Sequence, residues 1–276
     1  MIELSRILLG LGLSLLIGAI AYRRGSLTAG GWLGAVIIGT ATFGLGGWAW
    51  GFQVIVFFTL SSALSHYREG LKERLAGEKF AKGNRRDLWQ ALANGGASAG
   101  LAVLYALEPS ALLFAAGMGA LATAAADTWA TELGVLSRSA PRLVTTGRRV
   151  EPGTSGAISS LGTLAAAGGG LALGLAALAF TSAGFGASVE PRWWMIPAGL
   201  LAGLAGALFD SLLGATVQSI RYCPHCARET ERMVHTCGTS TIALRGWRWL
   251  DNDAVNFLST LVGATVALCV GVLAGA

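Results

Sequence analysis

Three polar groups stand where a chain this apolar should avoid them. Asp127 and Glu132 close the uncharged run 112–126, in the sequence Ala126-Asp127-Thr128-Trp129-Ala130-Thr131-Glu132. Asp210 sits in Leu-Phe-Asp-Ser-Leu-Leu, with apolar residues on both sides. Asp251, Asn252 and Asp253 lead into another apolar run. Within a bilayer a charge costs ~2.5–3.5 kcal/mol even on the mildest scale, so such residues are kept for pairing or chemistry. Asn94, inside the run 88–107, adds an amide, and Gly153-Thr154-Ser155-Gly156 adds two hydroxyls between glycines. Magnesium takes oxygen ligands, usually one or two carboxylates plus substrate phosphates. A helix start with free N–H groups attracts anions. The stretch 153–156 is expected to open a helix in this way, and Gly25-Ser26-Leu27-Thr28 to open a second. The set reads as Mg²⁺-assisted chemistry on phosphates. No G-x-x-x-x-G-K-[ST] sequence occurs, which excludes a P-loop kinase.

Each residue also has a structural reading. Asn94 could bond a neighbouring helix. Asp127 could snorkel from a helix end. The Asp-Asn-Asp triplet could cap a helix, although a cap needs one residue. Asp127 and Glu132 lie five apart, about 140° around a helix, and share a face only if the helix ends between them. Asp127 and Thr131 do share one. Asp210 is the hardest to read as structural.

The elements that carry these groups are membrane spans. The 276 residues are 53% hydrophobic and 13% charged, against about 25% charged in a soluble domain. The pattern predicts an all-α, polytopic integral membrane protein with about eight transmembrane helices, over 5–22, 27–45, 48–65, 88–107, 110–127, 156–180, 194–217 and 255–275. Residues 1–276 form a single transmembrane domain, and many of the 40 glycines fall inside apolar runs, where they let helices approach closely. Short matches, Asp87-Leu-Trp-Gln with Asp253-Ala-Val-Asn and Thr28-Ala-Gly-Gly with Thr154-Ser-Gly-Ala, suggest a four-plus-four repeat.

Of the 20 Lys and Arg, 18 lie in four alternate connections: 23–24, 66–87, 134–153 and 218–253. By the positive-inside rule these face the cytoplasm of an inner (plasma) membrane, and both termini face outward. Their one-sided placement reads as orientation and lipid attraction, with no nucleic-acid partner. Ala19-Ile20-Ala21 mimics a signal cleavage site, but Arg23 and Arg24 follow the apolar run, so the segment is expected to stay as a span. On this topology every polar group named above lies in or beside the cytoplasmic half. A transport path would place polar groups near the midplane and in both halves. A one-sided cluster suggests a site open to the cytoplasm.

The connection 218–253 carries a second constellation, Cys223, Cys226, His235 and Cys237. A C-x2-C and H-x-C set in a reducing compartment suits structural zinc, although the spacing departs from common fingers. An unmetallated loop and a redox pair are the alternatives.

The segments 126–134, 153–163 (Gly-Thr-Ser-Gly-Ala-Ile-Ser-Ser-Leu-Gly-Thr), 209–218 (Phe-Asp-Ser-Leu-Leu-Gly-Ala-Thr-Val-Gln) and 250–259 (Leu-Asp-Asn-Asp-Ala-Val-Asn-Phe-Leu-Ser) resemble the signatures of one membrane family. It is the family of the plant phytyl-phosphate kinase of vitamin E synthesis and a related animal transmembrane protein, long a domain of unknown function. The stretch 85–96 fits the same pattern. The resemblance implies a kinase that converts a prenyl monophosphate (phytyl or geranylgeranyl type) to its diphosphate, with CTP as donor and membrane lipids around it. Carried onto this chain, it gives Asp127, Asp210 and Asp253 to Mg²⁺, with Glu132, Asp251 and Asn252 as further groups. On the kinase reading, Asn94, Thr154 and Ser155 would bind phosphate oxygens, and Arg85, Arg86 and Arg149, each also readable as a charge that orients the chain, would clamp the triphosphate. The family commonly has Asn where this chain has Ser155. Rival readings are a CTP-dependent cytidylyltransferase on a lipid phosphate, a lipid-phosphate flippase or transporter, and a scaffold whose polar groups only join helices.

Overall fold

A computed structural model describes residues 3–79, 85–186 and 189–276. Its long helices are α1 (Leu4–Arg23), α2 (Ala29–Gly39, continued by a π-helical turn Thr40–Gly46), α3 (Trp48–His66), α5 (Leu88–Leu107), α6 (Ala111–Gly134), α7 (Ser160–Phe180, continued by Thr181–Phe185), α8 (Met195–Thr216) and α9 (Asn252–Leu273). A short helix, α4 (Glu69–Ala76), lies in the basic connection after α3. Strands β1 (Arg142–Leu143) and β2 (Ala157–Ile158) form a small hairpin. Strands β3 (Ile220–Cys223), β4 (Arg228–Thr230) and β5 (Ile242–Arg245) form an antiparallel sheet in the order β4-β3-β5.

All eight expected segments are therefore helices. By length and composition, seven among the described residues can cross a membrane. The eighth, α5, has the length but carries Gln90 and Asn94, and its mean hydropathy falls below that of the seven. Helix starts follow side-chain chemistry. Thr28, Asp87, Ser110, Ser159 and Asp251 each accept a backbone N–H at the start of α2, α5, α6, α7 and α9. At α5, Asp87 and Gln90 form a reciprocal capping box.

Helix α6 is the central post, with 72% of its apolar window buried against 22–44% in the other spans. It packs against α3, α5, α7, α8 and α9. Small residues make this possible. A Cβ added to Gly169 would stand 2.9 Å from the Ala125 carbonyl carbon, and one on Gly170 would stand 2.6 Å from the Gly199 oxygen. Trp50 fills the core beside Tyr105 and Phe114, with ring centroids 5.5 and 5.7 Å away. Leu8, Leu16, Leu104, Leu164 and Leu201 point outward, as lipid-facing residues must.

Two expected boundaries move. Helix α6 continues through Gly134, so Asp127 and Glu132 ride one helix and face different neighbours. The stretch 153–156 does not open a helix. Gly153 and Gly156 take left-handed φ values of +76° and +79°, which turn the chain into β2. Helix α7 begins at Ser160 with Ser159 as its cap, so the hydroxyls of Thr154 and Ser155 lie before it.

Candidate active site

Successive spans alternate in direction, so the starts of α5, α7 and α9 and the ends of α6 and α8 share one face of the bundle. A cavity of about 350 Å³ opens there, roofed by α4 and the β1–β2 loop. Asn94, Asp127, Glu132, Thr154, Ser155, Asp210, Asp251, Asn252 and Asp253 all line it, and so does Arg86. Residues separated by up to 167 positions, Arg86 and Asp253, thus meet in one pocket.

Asp127 and Asp210 come from α6 and α8 and lie within electrostatic reach of each other. Among the described residues no Lys or Arg pairs with either. Ser259 donates to Asp210 Oδ2 at 3.4 Å. Two carboxylates facing one space without a paired cation repel each other, and a divalent cation bound by oxygen ligands removes that cost. The donor set therefore fits Mg²⁺.

Glu132 is differently engaged. It forms an ion pair with Lys72 of α4, and the same ammonium donates to the carbonyls of Leu64 (2.8 Å) and Ser65 (2.7 Å). Its carboxylate is thus neutralised by the protein itself. Asp251 caps α9, its Oδ1 accepting the Ala254 N–H at 3.0 Å. Asn94 donates to the Gln90 carbonyl one turn back, at 2.9 Å, and lines the cavity. Thr154 accepts from Lys79 Nζ at 3.1 Å and donates to the Glu151 carbonyl. The Lys79 ammonium also pairs with the Glu151 carboxylate at 3.0 Å and holds that carboxyl below its ordinary pKa. Ser155 donates to Gln218 Oε1 at 2.8 Å, and Gln218 donates to Glu231 Oε1 at 2.9 Å. A hydroxyl engaged in this way braces the wall of the cavity.

The three arginines separate. Arg86 lines the cavity, its guanidinium over the rings of Phe57 and Phe58 at 5.6 and 5.7 Å. Burial lowers its pKa to about 10, partly offset by Glu132, so it stays cationic at neutral pH. Arg85 turns away, donating to the Leu27 carbonyl at 3.0 Å and covering the Tyr22 ring. Arg149 is exposed in the hairpin beside Arg142. Neither lines the cavity, because backbone pairing before α5 and within the hairpin fixes their direction. Lys82, among the loop charges, lies outside the described residues.

A second, apolar slot of about 80 Å³ runs between α1, α2, α3 and α5. Ile17, Ile38, Phe43, Val54 and Phe58 are among its walls. Arg86, Gln90 and Asn94 line both spaces, so the slot meets the polar cavity at those three side chains.

Sequence reasoning missed Lys72, Gln90, Gln218, Glu231 and Arg232, which also line the cavity. Gln90 was findable, four residues before Asn94 on one helix face. Lys72 was hidden among loop charges that served to orient the chain. Cys223, Cys226, His235 and Cys237 do not line the cavity and cluster instead at the end of β3 and in the connections on either side of β4.

The fold and its cavity define a polytopic helical membrane protein with an acidic, one-sided pocket. The chain belongs to the family described as Integral membrane protein DUF92, whose pattern matches residues 12–264. It is similar to Protein PGR of Arabidopsis thaliana, 33% identical over 274 residues, covering 93% of each chain. It also resembles an uncharacterized membrane protein of Methanocaldococcus jannaschii, 30% identical over 87% of this chain and 84% of that one. Protein VTE6, chloroplastic, of Arabidopsis thaliana is 28% identical over 88% of this chain and 64% of its own. No solved structure matches.

Proposed function

We propose that the chain is a Mg²⁺-dependent prenyl-phosphate kinase that uses CTP and works at the cytoplasmic face of the inner membrane. The observation that carries this reading is the junction at Arg86, Gln90 and Asn94, where an apolar slot opens into a carboxylate-lined cavity. A substrate with a long hydrocarbon tail and a phosphate head has that division of chemistry. The family resemblance supports the same substrate class. The basic connections beside the cavity support its cytoplasmic orientation, with both termini outside.

The reaction joins a phosphate oxygen of the lipid to the γ-phosphorus of CTP and breaks the bond to the bridging oxygen, so CDP leaves. The attacking oxygen is already largely ionised near neutral pH, its second pKa being ~6. No strong base is required, and the protein's work is placement and charge neutralisation. Bound Mg²⁺ would neutralise the triphosphate and polarise its γ-phosphoryl group, held by Asp127 and Asp210 with Asp253. Arg86 holds the lipid phosphate at the slot mouth, and Gln90 and Asn94 orient its oxygens. Glu132 keeps Lys72, and with it α4, over the cavity. Asp251 holds the start of α9 so that Asp253 faces inward.

The test follows both products with purified protein and a panel of prenyl monophosphates. CDP and a lipid diphosphate support the kinase. Pyrophosphate with a CDP-lipid would replace it with a cytidylyltransferase. Nucleotide-independent transfer of labelled lipid phosphate across vesicles would replace it with a transporter.

A further inference from the structure

The three-stranded sheet has little apolar material of its own. Met233, Val234, Ile242 and Leu244 are exposed, while Ile220 and Cys223 are buried. Short strands with so little buried surface need a staple. Four side chains are placed to supply one. The ligand atoms of Cys223, Cys226, His235 and Cys237 all lie within 4.8 Å of one another. Cys223 Sγ and Cys237 Sγ are 3.7 Å apart. That is far beyond the roughly 2.05 Å of a disulfide. It matches the about 3.8 Å between two thiolates bonded at 2.3 Å to one tetrahedral zinc. His235 Nδ1 stands 3.3 Å from Cys237 Sγ, close to the about 3.5 Å expected for a nitrogen and a sulfur on the same ion.

The backbone is already bent for this purpose. Ala227 adopts a left-handed φ of +54°, which closes the turn after Cys-Pro-His-Cys. The turn brings the Cys226 N–H to Cys223 Sγ at 3.5 Å. On the other arm, Val234 bridges Ser240 and the His235 N–H donates to the Thr239 carbonyl at 3.0 Å. His235 is 3% exposed, and its Nε2 has no hydrogen-bond partner among the described residues. A metal bond through Nδ1 would offset part of the cost of burying the ring.

The sheet is tied to the roof of the cavity. Thr230 donates to the Glu78 carbonyl at 2.8 Å, the Glu231 N–H to the Lys79 carbonyl at 2.9 Å, and Arg232 to the Gly77 carbonyl at 3.2 Å. Glu231 and Arg232, directly after β4, line the cavity. We propose that Cys223, Cys226, His235 and Cys237 bind one structural Zn²⁺, which fixes the sheet that carries Glu231 and Arg232 into the cavity wall. The site stands whether or not the protein is a kinase.

The test uses the full chain in detergent, purified without chelator. Elemental analysis should find one zinc per chain, and replacement by Co²⁺ should give thiolate-to-cobalt charge-transfer absorption. Cys237→Ser should weaken both, and zinc removal from the wild type should raise amide exchange over 228–241. Protein without zinc that also gives no cobalt–thiolate band would overturn the site, as would a disulfide among these cysteines found by mass spectrometry. Unchanged exchange over 228–241 after zinc removal would overturn its role in the wall.

Discussion

Lys72, on the short helix α4, forms an ion pair with Glu132, on the central helix α6, across the roof of the cavity. Both side chains are largely shielded, at 9% and 18% exposure. Removing one partner of such a pair leaves an uncompensated charge and costs about 3–5 kcal/mol. Lys72→Met should therefore lower the thermal midpoint in detergent. The double variant Lys72→Met, Glu132→Gln should recover part of the loss. Equal destabilisation by the single and double variants would contradict the pairing.

Asp251 and Asp253 stand two residues apart and are assigned different work. Asp251 caps α9, and Asn caps nearly as well as Asp. Asp251→Asn should keep most of the turnover, and Asp251→Ala should lose about 1 kcal/mol of stability. Asp253→Asn should lose activity by at least about a hundredfold with unchanged melting, as expected when charge stabilisation at the reacting group is removed. Kinetics and thermal unfolding on the same preparations separate the two roles. A large loss of turnover in Asp251→Asn, with normal stability, would place that carboxylate in the chemistry.

The apolar slot makes a claim about chain length. Val54 lines it on α3. Val54→Phe should exclude part of the tail. Excluding two methylenes, at about 0.8 kcal/mol each, weakens binding roughly tenfold. The KM for geranylgeranyl monophosphate should rise by that factor, and the KM for a five-carbon monophosphate should not change. An equal effect on both substrates would mean that the tail lies elsewhere.

The helical framework was legible because each apolar run is long, and several helix starts also carry a capping side chain: Thr28, Asp87 and Ser110 stand where α2, α5 and α6 begin. The candidate site was legible because Asp127, Asp210 and Asp253 stand out in so apolar a chain, and the fold brings the three to one cavity. What stayed hidden depends on three-dimensional direction. Residues 153–156 look like a helix start, but two left-handed glycines turn them into a hairpin. Arg85 and Arg86 are neighbours in sequence, yet backbone pairing with Ser26 and Thr28 sends one outward and one into the cavity. Lys72 could not be told from six other basic residues in 66–87 until α4 folded over α6.

The measurement that bears most directly on the account is transfer of label from γ-labelled CTP. It would be run with Mg²⁺ and geranylgeranyl or phytyl monophosphate, comparing wild type with Asp210→Asn. The account predicts label in the lipid diphosphate, equimolar CDP, and at least about a hundredfold loss in the variant at wild-type folded yield. Folded wild-type protein that leaves every prenyl monophosphate unlabelled, or an Asp210→Asn variant as active as wild type, would contradict it.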